Sequence, residues 1–232
     1  MKSLIAFFLV LIFPVSAVAQ TRLDAPELVQ TISSDEFSDV VKLVWDEIKK
    51  GVETYSADQR SKSEFETSSA FEARLRRRQE QTSHDIQQFL IAKKISQRKF
   101  AVLMKADLVH YNADTQFYTV RSRVEILIPP KTEDLLTTCS SNPYISVREL
   151  TRDAYKFAYL TMNPKAAVQW QVNIQTAQKA KSSEADVFFK IWFRFDVSST
   201  PGEHFTLKIV PERIALVADR ANTTYWKEDI AH

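Results

Sequence analysis

Alternation of apolar and polar residues in two separate parts of the chain is the feature that most constrains its fold. The first part has two segments, Phe100–His110 and Phe117–Ile128, joined by a short connection containing Asn112 and Asp114. Side chains on a strand point to opposite faces of a sheet in turn, so each segment would present one apolar face. If Tyr111 faces Phe117 across the connection, the pattern predicts an antiparallel hairpin.

The register of this hairpin follows from the same pattern. The predicted apolar-face pairs are Phe100–Ile128, Val102–Ile126, Met104–Val124, Ala106–Ser122, Leu108–Val120 and His110–Tyr118. On the other face Asp107 would lie opposite Arg121, and Lys105 would lie near Glu125, so that opposite charges meet.

A second hairpin is predicted near the C-terminal end. Its first strand would point five residues inward and four outward: Val187, Phe189, Ile191, Phe193 and Phe195 inward, and Lys190, Trp192, Arg194 and Asp196 outward. After a loop at Thr200-Pro201-Gly202, Phe205, Leu207 and Ile209 alternate again. Pro211 is expected to break the ladder before Ile214 and Leu216 resume it.

Shorter patterns occupy the region between the hairpins. Residues 144–162 alternate as a strand would, with a helix from Ser146 as the competing interpretation. Residues 166–174 predict a strand with Gln169, Gln171 and Asn173 on its outer face, and residues 175–184 favour a short helix or turn. Residues 219–232 are polar, with an isolated Tyr225-Trp226 pair.

Two helices are predicted before the first hairpin. Ser33 and Glu36 have the spacing of a capping box, and Gly51 is the expected C-terminal stop. The first helix would bury a stripe of Phe37, Val40, Val41, Val44, Trp45 and Ile48. Residues 52–68 are interpreted as a loop, and a second helix is expected from Ser69 to about Lys94, its apolar stripe interrupted by Arg78, Gln79 and Thr82. Its arginines, Arg74 and Arg76–Arg78, are interpreted as a solvated face rather than as a docking site for an anionic partner.

These elements predict an α+β fold, with N-terminal helices packed on a mainly antiparallel sheet built from at least two hairpins. Residues 1–19 are interpreted as a signal peptide, residues 20–98 as a helical part and residues 99–232 as a β-rich part, forming one domain with the helices. Lys2, the apolar run from Leu4 to Phe13 and the small residues Ala17-Val18-Ala19 are typical of a secretory signal cleaved after Ala19. We therefore expect a periplasmic or secreted protein, without a transmembrane segment in the mature chain.

One stretch resembles a known pattern. Glu64-Phe65-Glu66-Thr67, Phe71-Glu72-Ala73-Arg74 and the later turn Tyr111-Asn112-Ala113-Asp114 resemble a family of uncharacterised exported bacterial proteins over residues 60–130. The resemblance implies the architecture and the compartment given above, and it implies no activity and no site residues.

Composition argues against several enzyme classes. The chain has only two glycines, Gly51 and Gly202, whereas phosphate-binding loops, dinucleotide-binding turns and nucleophile elbows need glycine at fixed positions. Loss of residues 1–19 would leave 30 basic and 29 acidic residues. Such a balance gives no general attraction to nucleic acid.

Other candidates for chemistry are weak. The four histidines do not have the spacing of a metal site, so we expect no metal and no cofactor. His110 is interpreted as a partly buried structural residue. The single Cys139 is interpreted as buried, with pairing to another chain as the alternative. No residue is predicted to be catalytic.

The outward faces of the strands provide the candidate binding surface. Arg121 and Arg123 in one hairpin, and Lys190, Trp192 and Arg194 in the other, could form a cationic surface with a large aromatic residue and a Gln/Asn row between the two groups. The alternative is a solvated sheet face neutralised by Asp107, Glu125 and Asp196. We expect a non-enzymatic binding module of the bacterial cell envelope, whose partner is an envelope protein, a peptide or an anionic glycan. The alternatives are a periplasmic hydrolase whose site forms only in the fold, involving His110 or Cys139, and a secreted effector.

Overall fold

The computed structural model describes residues 30–59, 62–92, 99–128, 135–152, 155–163, 167–199 and 205–230. The predicted signal peptide lies outside these residues. So do the loop at Thr200-Pro201-Gly202, His204 and His232.

The described residues form an α+β fold, as predicted. The helices are α1 (Ser34–Gln59), α2 (Ser68–Ala92) and α3 (Ile174–Ser182), and a short 3₁₀ turn spans Glu184–Asp186. The strands are β1 (Gln30–Ile32), β2 (Phe100–Lys105), β3 (Asp107–Asn112), β4 (Phe117–Arg121), β5 (Glu125–Ile128), β6 (Leu135–Cys139), β7 (Ile145–Arg152), β8 (Tyr155–Met162), β9 (Val168–Gln171), β10 (Val187–Ser199), β11 (Phe205–Ala218) and β12 (Thr223–Asp229).

The strands form three sheets. The largest has the order β1-β2-β10-β11-β12, and β6 also pairs with one end of β11. Within it β1 is parallel to β2 and β6 is parallel to β11, while the other pairs are antiparallel. The two smaller sheets, β3-β4-β9 and β5-β8-β7, are antiparallel throughout.

The long hairpin of β10 and β11 is the centre of the largest sheet. All five side chains predicted to point inward from β10 are buried, which confirms the alternation. The expectation that Pro211 breaks the ladder is wrong: β11 runs through it, Pro211 lies opposite Phe193, and a bulge leaves Glu212 without a partner across the ladder. The bulge absorbs the irregularity that proline introduces.

The first predicted hairpin is only partly confirmed. Asp107 lies opposite Arg121 and Leu108 opposite Val120, but a bulge at Val109 then places Tyr111 opposite Tyr118. The Asn112 side chain accepts hydrogen bonds from the backbone of Asp114 (3.0 Å) and Thr115 (3.1 Å), which shapes the turn.

The outer half of that hairpin is a wrong prediction. The predicted pairing of Phe100–Met104 with Val124–Ile128 does not form, because β2 pairs with β10 and β5 pairs with β8. Lys105 accordingly does not meet Glu125; Glu125 is ion-paired with Arg148 instead. The alternation was correct, but long-range partners replaced the local one.

Helix α1 begins as predicted. The Ser33 hydroxyl accepts from the Glu36 backbone N–H (3.2 Å), and the Glu36 carboxylate accepts from the Ser33 N–H (2.8 Å), which completes the capping box. The predicted apolar stripe is buried. The stop at Gly51 is wrong, since the helix continues to Gln59; a single glycine costs a helix only about 1 kcal/mol.

The prediction was confirmed for the strands after the first hairpin and missed the last strand. Strands β7 and β8 confirm the strand interpretation of residues 144–162, and β9 is followed by α3, which Asn173 caps through a 2.9 Å hydrogen bond to the Thr176 N–H. On α2, Gln79 and Thr82 are buried, so the polar centre of that helix faces the protein. Strand β12 was missed.

An aromatic cluster joins α1 to the long hairpin. The ring of Phe193 lies 5.3 Å from that of Phe37, 5.7 Å from Phe100 and 5.3 Å from Phe195. All four side chains are fully buried. One core therefore includes the first helix and the largest sheet.

We expect Phe193→Ala to lower the free energy of unfolding by about 3–5 kcal/mol, because it leaves a cavity among three other rings. Phe65→Ala is the matched control, since 91% of Phe65 is exposed and its truncation should change stability by less than about 0.5 kcal/mol. Urea denaturation measures both. Similar losses in the two variants would contradict this description of the core.

Candidate functional site

The outward residues of β10 lie where the sequence placed them. Lys190, Trp192 and Arg194 are partly exposed on the face opposite the buried phenylalanines. Strand periodicity requires this arrangement, because the neighbouring positions are committed to the core. The structure therefore brings three of the five predicted site residues together.

The sheet register adds residues that sequence reasoning missed. Trp192 lies opposite Arg213, and Arg213 lies opposite Asp229. In the next row Ala215 lies between Lys190 and Lys227. Residues opposite each other on adjacent strands share a face. The signal for β12 was the run Thr223–Trp226, whose β-branched and aromatic residues favour a strand.

We call this surface the Trp192 face, defined by Lys190, Trp192, Arg194, Glu212, Arg213, Lys227 and Asp229. It carries four cationic and two acidic side chains.

Two cations lie over the indole of Trp192. The Lys190 ammonium is 5.3 Å from a ring centroid and the Arg213 guanidinium carbon is 6.0 Å from one. Such contacts contribute about 0.5–1 kcal/mol each at exposed sites. The aromatic ring therefore holds cations at fixed places on the surface.

Two carboxylates hold the two arginines of the Trp192 face. Glu212 is ion-paired with Lys99 (2.8 Å) and with Arg194 (3.4 Å). Asp229 accepts a 2.5 Å hydrogen bond from Arg213, which lowers the pKa of that carboxyl below its ordinary value. Within the described residues, Lys190 and Lys227 are in no ion pair.

The other two predicted site residues belong elsewhere. Arg121 ends β4, and Arg123 follows it and is ion-paired with Asp107 (3.5 Å). Strand β4 pairs with β3 and β9, whereas β10 pairs with β2 and β11. Gln169 and Gln171 on β9 lie beside β4 and not between the two cationic groups. The single surface expected from the five residues is therefore divided between two sheets.

A polar cluster lies where β2 meets β3. The Lys105 ammonium donates to the carbonyls of Glu184 and Val187 (3.0 Å to Val187), and burial lowers its pKa. Lys181 donates to the Glu184 carboxylate (2.6 Å). Burial alone would raise the pKa of Glu184, but hydrogen bonds from Lys181 and from the Leu108 backbone lower it. These contacts are structural, since each donor already has an acceptor from the protein.

The two residues named for a hydrolase lie on strands of different sheets, His110 on β3 and Cys139 on β6. His110 is exposed on β3, which corrects the expectation of partial burial. Burial raises the pKa of the Cys139 thiol to about 11, although the Asn142 amide, 3.5 Å from its sulfur, acts in the opposite direction. A nucleophilic cysteine needs a lowered pKa.

Three further features bear on function: metal ligands, membrane-spanning helices and a groove along α2. In the described part of the chain, no group of three or more His, Cys, Asp or Glu side chains could hold a metal ion. None of its helices is long and apolar enough to cross a membrane. An open groove of about 630 Å³ follows α2, lined by Ser69, Glu72, Ala73, Arg76, Arg77 and Glu80. Its two acidic and two basic residues balance, which favours the solvated-face interpretation of these arginines.

Comparisons with protein-family models, with curated proteins and with solved structures found no match.

We expect native Cys139 to react with a maleimide at pH 8 about a hundredfold more slowly than the same thiol in urea. The reagent attacks the thiolate, and a pKa raised from 9.0 to about 11 moves ionisation to higher pH by two pH units. Mass spectrometry of samples in which the reaction is quenched at successive times gives both rates. Equal rates would show that the thiol is not held in a low-dielectric environment.

Proposed function

We propose that this chain is an exported, non-enzymatic binding module of the cell envelope, and that its Trp192 face captures an acidic segment of a partner protein. The observation that carries the proposal is a sheet face on which two cations lie over a partly exposed tryptophan. The signal-peptide pattern of residues 1–19 supports export. The raised thiol pKa of Cys139 and the exposed position of His110 are consistent with a non-enzymatic role.

Charge favours an anionic partner. The Trp192 face has two more cations than carboxylates. The ammonium groups of Lys190 and Lys227 are not ion-paired with any described carboxylate, so they can still bind an anionic partner. Arg194 and Arg213 are already held in position by Glu212 and Asp229. Guanidinium groups fixed in this way can donate hydrogen bonds to a second carboxylate with little loss of side-chain entropy.

The surroundings of the indole favour a peptide over a glycan. A sugar ring binds tryptophan by stacking on a face of the indole, and here Lys190 and Arg213 lie over the ring system. Carboxylates need no free ring face, since they bind the cations themselves. An acidic peptide segment can therefore bind without displacing the contacts that organise the surface.

The test compares two double charge reversals of equal size. Lys190→Glu/Arg213→Glu changes the Trp192 face, and Arg121→Glu/Arg123→Glu, the matched control, changes the second sheet. The tagged full-length variants are crosslinked in cells and purified from the envelope fraction, and the captured partner is measured by mass spectrometry. We expect the first variant to lose partner capture by about tenfold or more, because attraction is replaced by repulsion at two positions. The control should retain it.

The outcomes separate the alternatives. Full capture by the Lys190→Glu/Arg213→Glu variant would contradict the proposal, as would equal loss in both variants. If the attached material survives protease treatment but is removed by glycan-degrading enzymes, the partner is an anionic glycan and not an acidic peptide. Each variant loses one exposed ion pair, Arg213–Asp229 or Arg123–Asp107. Exposed ion pairs contribute little to stability, so the two variants should lose similar, small amounts of stability.

A further inference from the structure

Strands β2 and β3 are nearly continuous, but only β2 has a neighbouring strand on the side of β10. The pairing between β2 and β10 ends at Lys105 opposite Phe188, and the Ala106 N–H donates to the Val187 carbonyl (3.1 Å). Beyond that point the chain before β10 turns into the 3₁₀ turn and α3. In the described residues, β3 is therefore one of the two edge strands of its sheet, with β9 as the other.

Two side chains take the place of a strand at this edge. The Leu108 N–H donates to the Glu184 carboxylate (2.8 Å), and the Leu108 carbonyl accepts from the Lys181 ammonium (3.0 Å). Lys181 and Glu184 also bind each other (2.6 Å). The pair thus satisfies both backbone groups of Leu108, which an added strand would use at that position.

The pair is held on a rigid support. Ala177 and Ala180 bury one side of α3, which carries Lys181 in its last turn. The Glu184 carbonyl accepts from Lys105, which fixes the backbone from which the carboxylate projects. Each of the two side chains therefore contacts both Leu108 and the other side chain.

The edge would be open without this pair. The next residue, Val109, forms the bulge of β3 and is 51% exposed. An edge strand that has unpaired backbone groups and an exposed apolar side chain is a site for strand addition, which proteins prevent with charged side chains and bulges. A second copy carries the identical edge, and antiparallel pairing of two such edges about a two-fold axis is self-complementary.

We propose that the Lys181–Glu184 pair is an edge guard, which prevents a second copy of this chain from pairing its β3 strand with the β3 edge. The guard acts by occupying the backbone N–H and C=O of Leu108, and the bulge at Val109 assists it by twisting the strand. This role is independent of the Trp192 face.

Sedimentation velocity over a range of protein concentrations tests the guard. Lys181→Ala/Glu184→Ala should self-associate about tenfold more tightly than the unmodified protein. The control, Lys179→Ala/Asp114→Ala, removes the same charges from exposed positions and should leave association unchanged. Adding Val109→Lys to the guard variant should reverse the effect, since a charge on an edge strand blocks pairing. Unchanged association in the guard variant, or association that Val109→Lys does not reverse, would overturn the proposal.

A local measurement tests the guard even if Lys181→Ala/Glu184→Ala lowers the stability of the fold. Amide exchange by NMR should show Leu108 protected in the unmodified protein and faster in Glu184→Gln, which keeps an acceptor oxygen but loses the charge that holds Lys181. The self-association affinity of Glu184→Gln should lie between that of the unmodified protein and that of Lys181→Ala/Glu184→Ala. Unprotected Leu108 in the unmodified protein, or association of Glu184→Gln equal to that of the unmodified protein, would contradict the guard.

Discussion

The antiparallel pairing of β10 with β11 is the interaction on which the rest of the structure depends. It aligns thirteen residues of one strand with the other and places a row of buried side chains, from Val187 to Phe195, against the helices. Strand β2 pairs with one side of this hairpin, and β6 and β12 pair with the other. Burying one phenylalanine contributes about 1.5–3 kcal/mol, so this row supplies a large share of the core.

The same alternation that builds the core determines the candidate site. Because every second residue of β10 is buried, Lys190, Trp192 and Arg194 must share the opposite face. Pairing with β11 then adds Arg213, and pairing with β12 adds Asp229. A binding surface built on paired strands is more rigid than one built on loops, which favours tight recognition with little ordering cost.

Sequence reasoning succeeded where a feature depends on neighbouring residues. The capping box of Ser33 and Glu36, the inward row of β10 and the short helix after β9 are all local patterns. It failed where distant partners compete. Phe100–Met104 is apolar on one face whichever strand it pairs with, so the pattern could not distinguish Val124–Ile128 from β10. Arg213 and Asp229 were missed for the same reason, since their position beside Trp192 depends on register between strands.

Hydrogen–deuterium exchange of backbone amides tests most directly whether the long hairpin is the foundation of the fold. Amides that pair β10 with β11, within Val187–Phe195 and Ile209–Leu216, should exchange last and should open only with global unfolding. The edge strand β12 and the sheet of β5, β7 and β8 should exchange earlier. If helix α1 or that smaller sheet remained protected after the β10–β11 amides had exchanged, the long hairpin would not be the element that holds the structure together.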